Sequence, residues 1–339
     1  MKTKSFSKQS SAFMSSHTTC APAHSHTRRF SSTFDKTAPS LPTHNRRIKK
    51  IHWNVLTACN MSCSFCYLWR YPKQFALSTN HGRQLIKEIS RQADWITFGG
   101  GDPLMRPDLP ELVALAKNLG LKVDLQTNGL LLKGHLFETI APNLDRIGLS
   151  LDGDEATCHD MVRSYPGNFD QVQAALHLCD QAKIPIVVRT MVCKLNLSRL
   201  SGISTILARY KSVLKWSLRQ FVPLGRGADH ASEYSISKSV FVKESTRLQN
   251  ECSSNFFTFN VSIVSKDEMQ QCYCLITPDG RIYAHPSQGD YQCTGKFPEM
   301  SLSDLLVKLP YDRKKRDLRD SFTSLSKTSR ANYARTASE

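Results

Sequence analysis

The sequence has no apolar run approaching 18 residues, so none of its helices is expected to cross a membrane. Acid is scarce at its ends. Residues 1–50 hold ten Lys/Arg and a single acid, Asp35, a net +9. Residues 311–339 hold eight Lys/Arg and four acids, a net +4. Of the formal +16, only +3 is left for residues 51–310, so the middle of the chain is near balance. A basic core face built for nucleic acid is not indicated. The basic ends either touch RNA or an acidic partner, or are solvated extensions.

An apolar block near the N-terminus is also missing. The stretch "SKQSSAFMSSHTTCAPAHSHTRRFSSTF" is rich in Ser, Thr and His, which does not suit a secretory signal. It suits either an organelle transit peptide or a plain disordered extension, and a cytoplasmic setting is expected. The eleven cysteines cannot all pair, and with no export signal a disulfide framework is not expected. No internal repeat of solenoid type is present. With 40% hydrophobic residues the chain can bury a substantial core.

What is present is an alternation of strand and helix patterns from residue 51. Strands are read at 51–57, 94–100, 122–129, 145–153, 184–193 and 214–225. Helices are read at 78–93, 107–120, from Asn168 onward, and near 196–210. The second carries Asp108 and Glu111 as a capping box and ends at Gly120. Six such units predict parallel strands with helical crossovers, an α/β partial TIM-type (β/α)6 barrel with its site at the C-terminal rim of the strands. Beyond it come β-rich segments with a turn at Asp279–Gly280, and a short helix at 301–309. The expected organisation is a basic extension over 1–47, a core barrel over 48–228, a small β-rich C-terminal cap over 229–310, and a basic tail over 311–339.

One short loop carries the chemistry. In "TACNMSCSFCYLW" (57–69), Cys59, Cys63 and Cys66 follow C-x3-C-x2-C. A structural zinc site takes four protein ligands, and here no fourth Cys or His stands nearby in sequence. A four-iron cubane normally takes four cysteines, so three leave one iron open. An open position on a metal is a place for reaction.

With Phe65 before its last cysteine, this loop resembles the signature of the radical S-adenosylmethionine (SAM) enzymes. The resemblance extends over about residues 51–226. "GGGDP" (99–103) resembles that family's SAM-amine motif, with Asp102 where Glu is commoner. "QTNG" (126–129) and "SLDG" (150–153) resemble its third- and fourth-strand turns. "HDMVRSYPGNF" (159–169) resembles the loop that follows in its peptide-modifying and molybdopterin-type members, and "QFVPLGRG" (220–227) resembles its sixth-strand end, which borders the adenine. The resemblance implies a [4Fe–4S] cluster on Cys59, Cys63 and Cys66. It implies SAM seated by Gly99, Gly100, Gly101, Asp102, Ser150, Asp152 and Arg189. It further implies reductive cleavage of SAM, a 5′-deoxyadenosyl radical that abstracts hydrogen, and an external donor such as flavodoxin or ferredoxin. Arg163 is read as able to pair with a carboxylate or as a surface arginine.

The substrate is left open between a peptide or small metabolite and a nucleotide or RNA. "CYCLITPDGRIYAHP" resembles the hairpin opening the auxiliary-cluster domains of peptide maturases, with His285 where they have Cys. Cys252, Cys272, Cys274 and Cys293 are either free thiols or ligands of one auxiliary cluster. The same region loosely resembles the cap of antiviral-type nucleotide dehydratases, but His52-Trp53-Asn54 reverses their N-x-H order. A non-catalytic metal-binding protein is the alternative of another class.

Overall fold

The computed structural model describes residues 47–70, 75–255, 257–269, 274–284 and 292–308. The expected basic extension and tail, Cys20, Cys272 and His285 lie outside them. The chain alternates as the hydrophobic periodicity requires: β1 (Ile48–Leu56), α1 (Thr79–Gln92), β2 (Ala93–Gly100), α2 (Leu109–Asn118), β3 (Lys122–Gln126), α3 (Gly134–Ile140) and β4 (Arg146–Ser150). Then follow α4 (Ala156–Arg163), α5 (Asn168–Gln181), β5 (Ile186–Val192), α6 (Leu200–Leu207) and β6 (Val213–Gln220). The remainder is α7 (Ala231–Tyr234), α8 (Lys238–Ser254), β7 (Asn260–Val264), β8 (Cys274–Ile276), β9 (Arg281–Ala284), β10 (Gln292–Lys296) and α9 (Leu302–Val307).

Among the described residues ten strands join one sheet, in the order β10-β9-β8-β1-β2-β3-β4-β5-β6-β7. Strands β1 to β7 pair in parallel, as crossover helices dictate. The segments read as a cap extend this sheet at both edges. Strand β7 adds a seventh parallel strand beside β6, and β8 lies parallel to β1 on the far side. Strands β8, β9 and β10 form an antiparallel meander turned by Gly280 at φ +87. The sheet is a partial TIM-type barrel and is not closed.

Strand periodicity gives the sheet two unlike faces. Ile51, Trp53 and Val55 of β1, Ile96 and Phe98 of β2, and Trp216 and Leu218 of β6 are fully buried in the main core. That core includes Leu85, Ile86 and Ile89 of α1, and Leu109, Leu112, Val113 and Ala116 of α2. Burying each such large side chain stabilises the fold by roughly 1.5–3 kcal/mol. The alternating positions carry polar groups on the concave face, among them Lys50, Thr97, Asp124, Arg146, Ser150, Arg189 and Ser217. Helix α9 docks on α1, where Leu302 N–H donates to Glu88 Oε2 at 2.6 Å.

Two helix ends refine the sequence reading. Ser78 caps α1 by accepting from His81 N–H at 3.3 Å. Asp108 occupies the N-cap position of α2 without capping it. Its carboxylate instead accepts from Arg106 Nε at 2.7 Å and Nη2 at 2.9 Å, because a fixed guanidinium two residues away outcompetes a backbone N–H. Among the described residues no helix is long and apolar enough to cross a membrane.

Candidate functional site

Strand β1 delivers the chain into the cysteine loop at the C-terminal rim of the sheet. Three segments hold that loop. From one side, Gly101 N–H donates to Leu56 O and Asp102 N–H to Ala58 O, both at 2.9 Å. Two backbones approach here so closely that a Cβ on Gly101 would stand 1.9 Å from Ala58 O. From another side, Arg226 donates through its backbone N–H to Cys66 O at 3.0 Å and through Nη1 to Ser62 O at 2.9 Å. From below, the Tyr234 hydroxyl of α7 bonds Ser64 Oγ, with its ring edge-on to Phe65.

The three thiols come together in this setting. Desolvation pushes the Cys59 thiol up to about 11, and the nearby Asp102, Cys63 and Cys66 charges add to the rise. Cys63 is buried, and burial raises its thiol too, with Arg163 opposing from close by. The cost of charging these sulfurs together is what a bound cation relieves.

A continuous hydrogen-bonded path runs around the loop. Asn128 Nδ2 donates to Asn60 Oδ1 at 2.7 Å and lies 3.7 Å from Cys59 Sγ. Asn128 O accepts from Asn168 Nδ2 at 3.2 Å, at the start of α5. Asn168 Oδ1 accepts from His159 Nε2 at 3.0 Å, and His159 Nδ1 accepts the Asp152 N–H at 3.0 Å. Those two bonds place the His159 proton on Nε2, and burial lowers its pKa, so the ring is neutral. Asp152 Oδ1 accepts the Met191 N–H, and Oδ2 accepts from Arg163 Nη1, both at 2.7 Å. The Arg163 guanidinium then closes the path over the Phe65 ring, 5.6 Å from its centroid.

The expected SAM-seating residues divide by position. Asp102 is fully buried, and its carboxylate accepts from Leu104 N–H at 3.0 Å, Thr127 Oγ1 at 2.7 Å and Asn128 N–H at 2.8 Å. It ties the glycine loop to the "QTNG" turn, and burial raises its pKa against those bonds. Gly100 and Gly101 pack on the entry to the cysteine loop. Gly99 faces Asn54 Oδ1, which a Cβ would meet at an ordinary 3.5 Å. Ser150 ends β4 at the rim, and Asp152 follows it. Arg189 stands level with Ser150 in the β4–β5 register, and its side chain reaches toward Asp124, with Nη2 4.0 Å from Asp124 Oδ2.

Arg163 was not among the expected cofactor-binding residues, though "HDMVRSYPGNF" contains it. Its side chain is 11% exposed, and its Nε has no bonding partner among the described residues. The motif gave its position, but its burial depends on the left-handed Ser164 (φ 54) that ends α4 beneath the loop.

Cys252 and Cys274 are buried in the main core, whereas Cys293 is exposed. Among the described residues no group of three or more His, Cys, Asp or Glu side chains is placed to hold a single metal ion.

Comparison with known proteins gives a consistent result. Residues 53–200 match the sequence model of the Radical SAM superfamily. The Fe-coproporphyrin III synthase of Methanosarcina barkeri is 31% identical over 209 residues, 59% of this chain and 52% of that protein. The mycofactocin maturase MftC of Mycobacterium tuberculosis is 30% identical over 183 residues, 52% of this chain and 46% of that protein. The chain thus spans about half the length of the curated relatives it matches. The crystal structure of Streptococcus suis SuiB bound to S-adenosylmethionine superposes with a TM-score of 0.63 at 14% identity, over 81% of this chain and 68% of that one. The structure of anSMEcpe with bound AdoMet gives 0.63 at 18%, over 80% and 82%. At these identities the two superpositions speak for a shared fold.

Proposed function

We propose that the chain is a radical SAM enzyme, in keeping with the match of residues 53–200 to that superfamily's sequence model, and that it cleaves SAM reductively to abstract hydrogen from a peptide or small-metabolite substrate. The superfamily uses a [4Fe–4S] cluster and SAM. One observation carries their assignment here. Three thiols share a loop, and the carboxylates charged against them are already engaged, Asp102 by three donors and Asp152 by two. The donor set therefore fits a cluster held at three corners, with the fourth left for a co-substrate.

In this reading Cys59, Cys63 and Cys66 hold the cluster. When bound, it supplies the electron that splits SAM into methionine and a 5′-deoxyadenosyl radical. The chain's own groups bind and orient. Arg163 keeps a fixed positive charge beside the sulfurs, held in place by Asp152. Its Nε is the donor for an incoming carboxylate such as that of SAM. The Gly99–Gly101 backbone and Ser150 complete the seat, and Asp102 shapes it from beneath. Electrons come from an external flavodoxin- or ferredoxin-type donor. A peptide or small-metabolite substrate is in keeping with relatives named as a maturase and as synthases.

The test is anaerobic reconstitution of the full chain with iron, sulfide, SAM and dithionite. The expected result is about four irons per chain and formation of 5′-deoxyadenosine. Replacing Cys59, Cys63 and Cys66 together by Ala should remove both. An iron-free protein, or undiminished cleavage in the triple variant, would overturn the proposal.

A further inference from the structure

The concave face of the sheet is charged asymmetrically. Strand parity places Lys50, Lys122, Arg146, Arg189, Lys215 and Arg219 on it, from five different strands. Among the described residues of β1 to β7, the one acid on that face is Asp124.

The lower part of this face is a tight network. Asp124 is fully buried and accepts from Lys50 Nζ at 3.1 Å, Thr97 Oγ1 at 3.0 Å, and Arg146 Nε at 3.1 Å and Nη2 at 3.0 Å. Lys50, Lys122 and Arg146 also lie over the Trp95 ring, at 4.6–5.7 Å from its centroid. Above that floor the charge continues toward the rim. Arg189 pairs in register with Ser150 and Ser217. Its guanidinium packs against Gly148, where a Cβ would meet Nη1 at 1.7 Å. Arg219 stands one alternation higher on β6, with Nε 3.4 Å from Ser217 Oγ. On the same face two buried polar atoms, Asn54 Nδ2 and Ser262 Oγ, have no bonding partner among the described residues.

Resting on the radical SAM reading above, we propose that this face selects an anionic substrate, one bearing carboxylate or phosphate groups, and that Arg189 and Arg219 hold its charged end beside the rim of the sheet. The cationic face draws an anion inward, and low local dielectric strengthens the attachment. The arginines' planar forks suit carboxylate and phosphate oxygens alike. The missing side chain at Gly148 is what gives the Arg189 guanidinium its place beside β4.

Calorimetric titration of the full, anaerobically reconstituted chain tests this, with three probes: tricarballylate, inorganic phosphate, and the neutral triamide of tricarballylate. The expected result is that one of the two anions binds at least about tenfold more tightly than the triamide, with Arg189→Gln and Arg219→Gln each weakening that anion about tenfold. Preference for tricarballylate assigns a carboxylate substrate, and preference for phosphate a phosphorylated one. Thermal melting establishes that each variant folds. Among the described residues the Arg219 side chain hydrogen-bonds Ser217 Oγ, at 3.4 Å, so its variant remains informative if Arg189→Gln does not fold. Equal binding of anion and triamide, or undiminished anion binding by a folded variant, overturns the inference. Iron content and 5′-deoxyadenosine are measured on the same samples. Cleavage without anion preference overturns this inference alone, whereas absence of iron and cleavage overturns the reading beneath it as well.

Discussion

At Gly101 the absence of a side chain is a steric requirement. The loop that this glycine belongs to was read from sequence as a seat for the SAM amine. The structure adds that Gly100 and Gly101 let this loop lie against the entry to the cysteine loop, with backbone bonds at 2.9 Å. Gly101→Ala would place a methyl 1.9 Å from Ala58 O, and backbone cannot yield as a flexible side chain does. We expect a loss of roughly 1–3 kcal/mol in urea unfolding and a lower iron content after reconstitution. Gly99→Ala, which meets only Asn54 Oδ1 at 3.5 Å, should load iron normally. At this scale the sequence revealed the residue types and spacing but not their partners. Asp108 shows the same limit. Its place at the start of α2 was legible, yet its carboxylate went to Arg106, a choice that depends on where the guanidinium is held by Val55 O and Leu77 O.

Asp124 acts between elements. It ties β1, β2, β3 and β4 together through Lys50, Thr97 and Arg146, and Arg189 of β5 stands 4.0 Å away. Those cations hold its carboxyl well below its ordinary value of 3.8, outweighing the opposing effect of burial. A carboxylate with a depressed pKa contributes stability that is fully present above its ordinary value and is lost as pH falls through its value in the fold. Asp124→Asn should therefore cost roughly 3 kcal/mol at neutral pH, because it leaves buried cations facing an uncharged amide. The gap between wild type and variant in urea unfolding should hold down to about pH 4 and close below it. Each of these side chains fits the strand alternation in sequence, but cross-strand register is not a local property. Helix α8 was not read at all. Its buried positions, Phe241, Ser245, Leu248 and Cys252, follow helical spacing, but two of the four are small and weakly apolar. Periodicity fades when a helix packs through such residues.

For the whole molecule, six parallel units and the rim location of the site were legible because strand and helix periods alternate so regularly. Which edge of the sheet the strands after β6 would join was not. Strands β7 and β8 are three to five residues long, too short for their pattern to say which edge of a sheet they will join. The described structure begins with Arg47, whose Nε donates to Asp94 Oδ1 at 2.9 Å and whose Nη2 donates to Ser90 O at 2.8 Å. That clamp fastens the start of β1 to the end of α1. Removing residues 1–45 leaves it intact, so 5′-deoxyadenosine formation should stay within about twofold of wild type. A larger loss, with salt-sensitive RNA binding by the longer chain alone, would favour the nucleotide reading instead.

The pairing of β8 with β1 has a consequence for synthesis. The strand that feeds the cysteine loop leaves the ribosome early, but its outer neighbour emerges 217 residues later, between Leu56 and Cys274. At ordinary translation speeds that interval is roughly 10–40 s. For all that time β1 presents an unsatisfied outer edge, and three cysteines follow from its end. Nascent chains of this protein should therefore depend on a chaperone or on a prompt iron–sulfur delivery step to avoid aggregation or oxidation before the last strands arrive.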